Sequence, residues 1–322
     1  MNMMTGQNPR RPRLGISACL LGERVRYDGA HKRDPFLTAT LGRFVDWVPV
    51  CPELEVGMGV PRDSVRLVGP TDQPSMITER SGRDWTLAMN RFAVKRCTAL
   101  AALDLSGYVF KKNSPSCGME RVKVYHSNTA PTRDGRGLFA DALIKKLPLL
   151  PVEEEGRLND PTLRENFIER VFAYQRWRAA ATRRTRGGLV EFHTNHKYLL
   201  LAHSERHYRL LGRVVARLNE RPLREVYEEY GRSFMAGLTV HASAKKHANV
   251  LDHMTGYFSK QLASAERREL VELIADYRRE LIPLIVPVTL IRHYVKKYNV
   301  AYLAGQVYLE PSPKELMLRN HV

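Results

Sequence analysis

Acidic residues are in short supply in this 322-residue chain: 34 Asp and Glu stand against 51 Lys and Arg, a net charge of +17. That imbalance points to a polyanionic partner, with nucleic acid first. Long apolar runs are missing as well. The greasiest stretch, 281–291, is too short to span a bilayer and contains Pro283 and Pro287, so no membrane segment is expected. The start, MNMMTGQNPRRPR, is polar and basic without an apolar core, which argues against a secretory leader and for a cytoplasmic protein. Cysteine is sparse. In a reducing compartment, four cysteines argue for metal or catalysis over disulfides. There is no Walker loop, no G-x-G-x-x-G and no nucleophile elbow, and no repeat or low-complexity tract interrupts the chain.

What is present has the composition of a soluble globular protein, 43% hydrophobic and 26% charged, long enough for two domains. The first half alternates strand-like and helix-like segments. Leu14 to Ala18, Val45 to Val50, Tyr108 to Phe110 and PLLPVEEE read as strands. RDPFLTATLGRF, DWTLAMNRFAVKRCTALAAL and GLFADALIKKL read as helices. That alternation predicts a Rossmann-like α/β domain with a parallel sheet over residues 1–160. The second half predicts an all-α domain over 187–322, opening with the long helical pattern GLVEFHTNHKYLLLAHSERHYRLLGRVVARL and broken at Pro222, Thr239, Pro283 and Pro287. Between them, 161–186 carries 7 basic and 2 acidic side chains, the densest positive stretch, and reads as a basic helical linker.

Three of the four cysteines follow strand-like runs. Cys19 closes RLGISAC, Cys51 closes FVDWVPVC, and Cys117 follows GYVFKKNSPSC. Loops at the carboxyl ends of parallel strands converge on one crevice, so three thiolates there would form a soft-metal site with room for another ligand. Buried structural thiols are the alternative. Against it, Cys51 precedes Pro52, Cys117 precedes Gly118, and NSPSCG is a tight polar turn. Cys97, mid-helix and four residues from Ala93, is assigned to packing.

Glu53 and Glu55 fall two and four residues after Cys51. Either is a candidate general base. Glu53 also suits a helix start, whereas Glu55 precedes a Gly-x-Gly loop and is the preferred functional residue. In KKNSPSCG, Ser114 is the better candidate for touching substrate, with turn capping the alternative and Ser116 read as a cap. Lys111 and Lys112 would bind phosphate or be solvated. His193, His196, His203 and His207 recur on one helical face, and a partner or interdomain surface is favoured over a metal site. Lys296 and Lys297 among Tyr294, Tyr298 and Tyr302 suit RNA contact as well as they suit core tyrosines.

GISACLLGERVRYDG, VCPELEVGMGVPR and KKNSPSCG resemble the thiouracil desulfidase family over about residues 12–160. The remainder, from EFHTNHKYLLLAHSERHYRLLG, resembles a helical domain of unknown function often fused to it. Fused members resemble bacterial enzymes that remove sulfur from 4-thiouridine in tRNA. The resemblance implies a [4Fe-4S] cluster on Cys19, Cys51 and Cys117, and places the family's catalytic glutamate and serine on Glu55 and Ser114. It implies tRNA as partner, with the helical domain binding RNA. Free thiouracil or thiolated nucleotides are a second possible substrate class, and a non-catalytic Fe–S or zinc RNA-binding sensor is a third reading.

Overall fold

The computed structural model describes residues 11–127 and 129–321, so the polar N-terminal stretch 1–10 lies outside them. The chain folds as two units, Met1–Asn159 and Asp160–Val322. Among the described residues no helix is long and apolar enough to cross a membrane.

The first unit begins with β1 (Arg13–Ser17), whose Leu14 and Ile16 are fully buried. There follow β2 (Asp46–Val50), the single turn α1 (Pro52–Glu55), β3 (Val65–Val68) and β4 (Ser75–Thr78). Then come α2 (Thr86–Ala101), β5 (Gly107–Phe110), β6 (Val122–Tyr125) and β7 (Thr132–Gly135). The unit ends with α3 (Leu138–Lys146) and β8 (Val152–Glu154). The strands run β2-β1-β5-β8, all parallel, with Leu14 opposite both Trp47 and Gly107, and Tyr108 opposite Val152. Parallel strands are covered on both faces, which is why all four residues of β5 are buried. From β1 the chain first pairs β2 on one side and later β5 on the other. That reversal is where an open α/β sheet forms its ligand crevice.

The parallel α/β expectation therefore holds. A second, mixed sheet, β4-β3-β6-β7, has no counterpart in the sequence reading. RDPFLTATLGRF differs too. Asp34 Oδ1 accepts from Leu37 N at 2.9 Å, as a helix start should, but the segment is a wide π-type turn, Phe36–Thr40, followed by a 3-10 turn, Leu41–Arg43. In α2, Met89, Ala93, Cys97 and Leu100 line the buried face, and Cys97 is a packing residue.

The second unit is helical: α4 (Pro161–Arg183), α5 (Arg186–His203), α6 (Glu205–Ala216), α7 (Leu223–Thr239), α8 (Ala244–Thr255), α9 (Ser264–Arg278), α10 (Ile285–Lys297) and α11 (Ala301–Ala304). Asp160 caps α4 by accepting from Thr162 N and Leu163 N, with Pro161 at the first helical position. Within the stretch 161–186, α4 buries Phe167, Ile168, Val171 and Trp177, so this segment is a core helix of the second unit. The Trp177 ring stacks on Tyr230 and Tyr227 at 5.2 and 5.5 Å. The long pattern at 188–218 is two helices. Ser204 ends α5 and caps α6 through its hydroxyl to His207 N. Pro287 is not a break. It sits in the first turn of α10, where the missing N–H costs no helical bond.

Candidate active site

The parallel sheet delivers its loops to one cavity of about 570 Å³, lined by Cys19, Cys51, Cys117, Glu53, Ser114 and Ser116 among others. Cys19 lies in the 3-10 turn after β1, Cys51 at the junction of β2 and α1, and Cys117 in the loop after β5. All three are free thiols. Burial pushes the Cys19 thiol up to about 11, the Cys51 thiol upward and the Cys117 thiol far above its ordinary value. A thiophilic metal would have to displace those protons.

The Cys117 loop is fixed by the helix that follows it. The first N–H groups of a helix have no intrahelical partner. In α3 they are taken by the loop: Leu138 N donates to Pro115 O, and Phe139 N and Ala140 N donate to Ser116 O, each at 3.1 Å. The approach is so close that a Cβ on Gly137 would lie 2.5 Å from the carbonyl carbon and oxygen of Ser116. Within the loop, Ser114 Oγ accepts from Ser116 N at 3.3 Å and from Cys117 N at 3.1 Å.

Across the cavity, Glu53 meets this loop. Its Oε1 accepts from Ser116 Oγ at 2.7 Å and from Ser114 Oγ at 3.4 Å, and its Oε2 pairs with the Arg62 guanidinium. Arg62 is itself held by donating to Val25 O at 3.0 Å and Gly59 O at 2.9 Å. Glu55, expected as the base, takes a different place. Its Oε1 accepts from Cys51 N at 3.1 Å, its Oε2 is ion-paired with Arg96 at 3.0 Å, and it does not line the cavity. The structure thus brings Cys19, Cys51, Cys117 and Ser114 together and leaves Glu55 outside. Glu53, read above as a helix-start residue, is the cavity carboxylate that meets Ser114 and Ser116; Asp63 and Glu79 line the cavity as well. Ser116 contacts Glu53 more closely than Ser114 does. Arg62 stands in no motif that marks it as functional; its position just after the Gly-x-Gly loop is the available signal.

The rim is cationic. Arg26, Lys32, Lys123 and Arg133 line the same cavity with Tyr27 and Tyr125. The Arg26 guanidinium lies 5.3 Å from the Tyr27 ring, and that of Arg66 lies 5.0 Å from the Tyr125 ring. Such surroundings suit an aromatic ring carrying a negative group.

All-sulfur donors on three loops fit a soft metal group. Among the described residues no three His, Cys, Asp or Glu side chains are grouped closely enough to share one metal ion. Thiolates on separate loops are also what an iron–sulfur cluster takes, each sulfur at its own iron.

Each of the four histidines of the stripe is taken up by a hydrogen bond within its own unit. His196 is buried, donating from Nδ1 to Phe192 O at 2.8 Å and accepting at Nε2 from Arg176 at 3.1 Å. His203 is held between Val240 O and Glu169, His193 by Tyr230, and His207, on α6, by Ser204. Tyr294 is core, while Lys297 and Tyr298 both bind Glu266.

Residues 14–155 match the profile of the 2-thiouracil desulfurase family, and residues 197–313 match a family of unknown function, DUF1722. Each match lies within one of the two units. It is 39% identical over 137 residues to the uncharacterized protein YbgA of Escherichia coli, covering 42% of this chain and 81% of that protein. It is 29% identical over 153 residues to the uncharacterized protein YbbK of Bacillus subtilis, covering 45% of this chain and 97% of that one. A solved [4Fe-4S]-dependent thiouracil desulfidase, TudS, aligns with 29% identity and a TM-score of 0.37, over 46% of this chain and 93% of its own. All residues lining the cavity fall within the stretch that matches the 2-thiouracil desulfurase profile.

Proposed function

We propose that the chain hydrolyses the C–S bond of a thiolated uracil ring, with 4-thiouridine in tRNA as substrate and a [4Fe-4S] cluster held by Cys19, Cys51 and Cys117. The observation that carries this reading is the convergence of Glu53, Ser114 and Ser116 on the cavity that the three thiols line. When bound, the cluster supplies a Lewis-acidic iron without a protein ligand, suited to a soft thiocarbonyl sulfur.

The chain's own residues do the rest. Glu53 takes the proton of the water that attacks the thiolated ring carbon, while Arg62 and Ser116 hold its carboxylate in place. Ser114 Oγ, 3.4 Å from Glu53 Oε1, turns its single hydrogen from the carboxylate to the ring when substrate is bound, while Ser116 keeps its bond to Glu53. Water adds, the C–S bond breaks, and uracil oxygen and hydrogen sulfide are the products, with no net electron transfer. Substrate-side charge is met by the cationic rim. In the second unit, a cavity of about 540 Å³ sets Lys197, Arg209, Lys245 and Arg278 beside Tyr198 and Tyr208, a combination suited to RNA backbone and base contact. A smaller substrate, free thiouracil or a thiolated nucleotide, is the second reading, favoured by the confinement of every reacting group to one unit.

The deciding experiment gives the full chain, reconstituted without oxygen, bulk thiolated tRNA and free 4-thiouracil in parallel, with iron and released sulfide quantified. Loss of 4-thiouridine with stoichiometric sulfide is the expected result. Tenfold or greater preference for the free base would replace tRNA by the smaller substrate. Iron-loaded protein inert on both would reduce the chain to a binding protein. Affinity for tRNA should fall steeply with salt.

A further inference from the structure

The sheet ends in three consecutive glutamates, Glu153, Glu154 and Glu155, which are only 4, 6 and 8% exposed. Three adjacent carboxylates at a buried strand end are costly unless each is bound. Each is bound, and all three hold the segment that carries the candidate serines and Cys117, or its support. Glu153 Oε1 accepts from Arg157 Nε at 2.7 Å, and Arg157 reaches on to Glu120. Glu154 Oε1 accepts from Met119 N at 2.7 Å. Glu155 does the most: Oε1 takes the Lys111 ammonium at 2.5 Å and Oε2 takes Lys112 N at 2.8 Å. Lys111 N in turn donates to Ser17 Oγ at 3.0 Å, two residues before Cys19. Beside it, Gly156 leaves room for the Lys112 stem, which a Cβ there would meet at 2.7 Å. The ends of β1, β5 and β8 are thus laced together at Lys111 and Lys112.

We propose that Glu155 is a positioning residue of the site, fixing the loop 111–117 between the ends of β1 and β8 and holding the Lys111 ammonium on the cavity wall. This inference rests on the reading of that loop as the carrier of Ser114 and Cys117. The demand is for a carboxylate: one oxygen faces a cation and the other a backbone N–H, both donors. Glutamine satisfies one of them and turns its own NH₂ toward the other. Aspartate is a methylene too short to reach both.

The test is Glu155→Gln in the full chain. In the iron-free protein, amide exchange over 112–117 should accelerate roughly tenfold while β1, α2 and the second unit keep their rates. After reconstitution, iron content should stay at the wild-type level, kcat should fall roughly tenfold to a hundredfold, and KM should stay within about twofold, because orientation and not binding is lost. If Glu155→Gln does not fold, Lys111→Met cuts one of the two tethers and should accelerate exchange over the same residues roughly threefold. Unchanged exchange across 112–117, or an unchanged kcat with wild type active, overturns the proposal. A wild-type chain without desulfidase activity refutes the functional reading instead, and the exchange measurement then decides the positioning role by itself.

Discussion

Ser116 Oγ donates to Glu53 Oε1 at 2.7 Å, joining two motifs that lie 63 residues apart in the chain. The bond ties the turn after β2 to the loop after β5 at the cavity, so the carboxylate is oriented by both a hydroxyl and the Arg62 guanidinium. Glu55, two residues on, is occupied with its own helix turn and with Arg96.

That contrast separates two glutamates otherwise equally suited to acid–base work. Glu53→Gln should keep its iron and lose turnover by roughly 10²–10⁴-fold, the usual worth of a positioned general base. Glu55→Gln should leave turnover within about threefold and cost about 1 kcal/mol of stability through the weakened turn. Sulfide release and iron content for both variants check the assignment. The reverse order of effects would return the base to Glu55.

The sequence reading preferred Glu55, and the reason spacing cannot rank it against Glu53 is geometric. Residues two apart on a helical turn are rotated by about 200° about its axis and so point to nearly opposite sides, and α1 is a single turn whose orientation is set by β2 and α2. The cysteines were legible because continuous apolar runs marked the buried parallel strands, and a thiol just past such a run lies at a strand end. Cys97, inside a helical period, was legible for the opposite reason. The second sheet was invisible: its strands are four residues long, and β7 is largely exposed Thr-Arg-Asp with no apolar alternation. The α5–α6 break was hidden because apolar residues continue across Ser204, whose cap is visible only once His207 N is seen to point at it. Glu153 to Glu155 read merely as the end of a strand, since nothing in their spacing tells that the loop 111–120 returns to them.

Gly137 offers a test of how tightly α3 seats the Cys117 loop. A Cβ there meets backbone atoms, Ser116 C and O at 2.5 Å and Cys117 N at 2.8 Å, and backbone cannot rotate away as a side chain can. Gly137→Ala should therefore cost about 1–3 kcal/mol, in the range of overpacking, and should lower iron content by displacing Cys117. Thermal unfolding with an iron-to-protein ratio measures both. Wild-type values in both would mean that the loop tolerates a shift of the helix.

The helical unit should be acid-labile, and the sign follows from its buried groups. Burial, aided by the Arg176 charge, pushes the His196 imidazole down to about 3. Burial, aided by Arg319, does the same for His247, also to about 3. For Glu169, burial would raise the carboxyl, but the Arg319 charge and the hydrogen bond from His203 outweigh it and hold it at about 2. All three have folded values below their unfolded ones, so their contributions are complete at neutral pH and are lost on acidification: the histidines from about pH 6.5 toward 3, Glu169 from about 4.5 toward 2. His321, raised by its hydrogen bond to Glu165, works in the opposite sense, its contribution present in acid and lost as pH rises. One exposed-side histidine does not cancel two fully enclosed ones. Each buried histidine should cost on the order of 1–2 kcal/mol by pH 5. Trp177, the one tryptophan among residues 160–322, reports on this unit alone. Its unfolding transition should move to lower temperature between pH 7 and pH 5, and His247→Gln should flatten that dependence. A transition that stays level across this window would mean that water or a rearranged core lets the imidazoles charge in place.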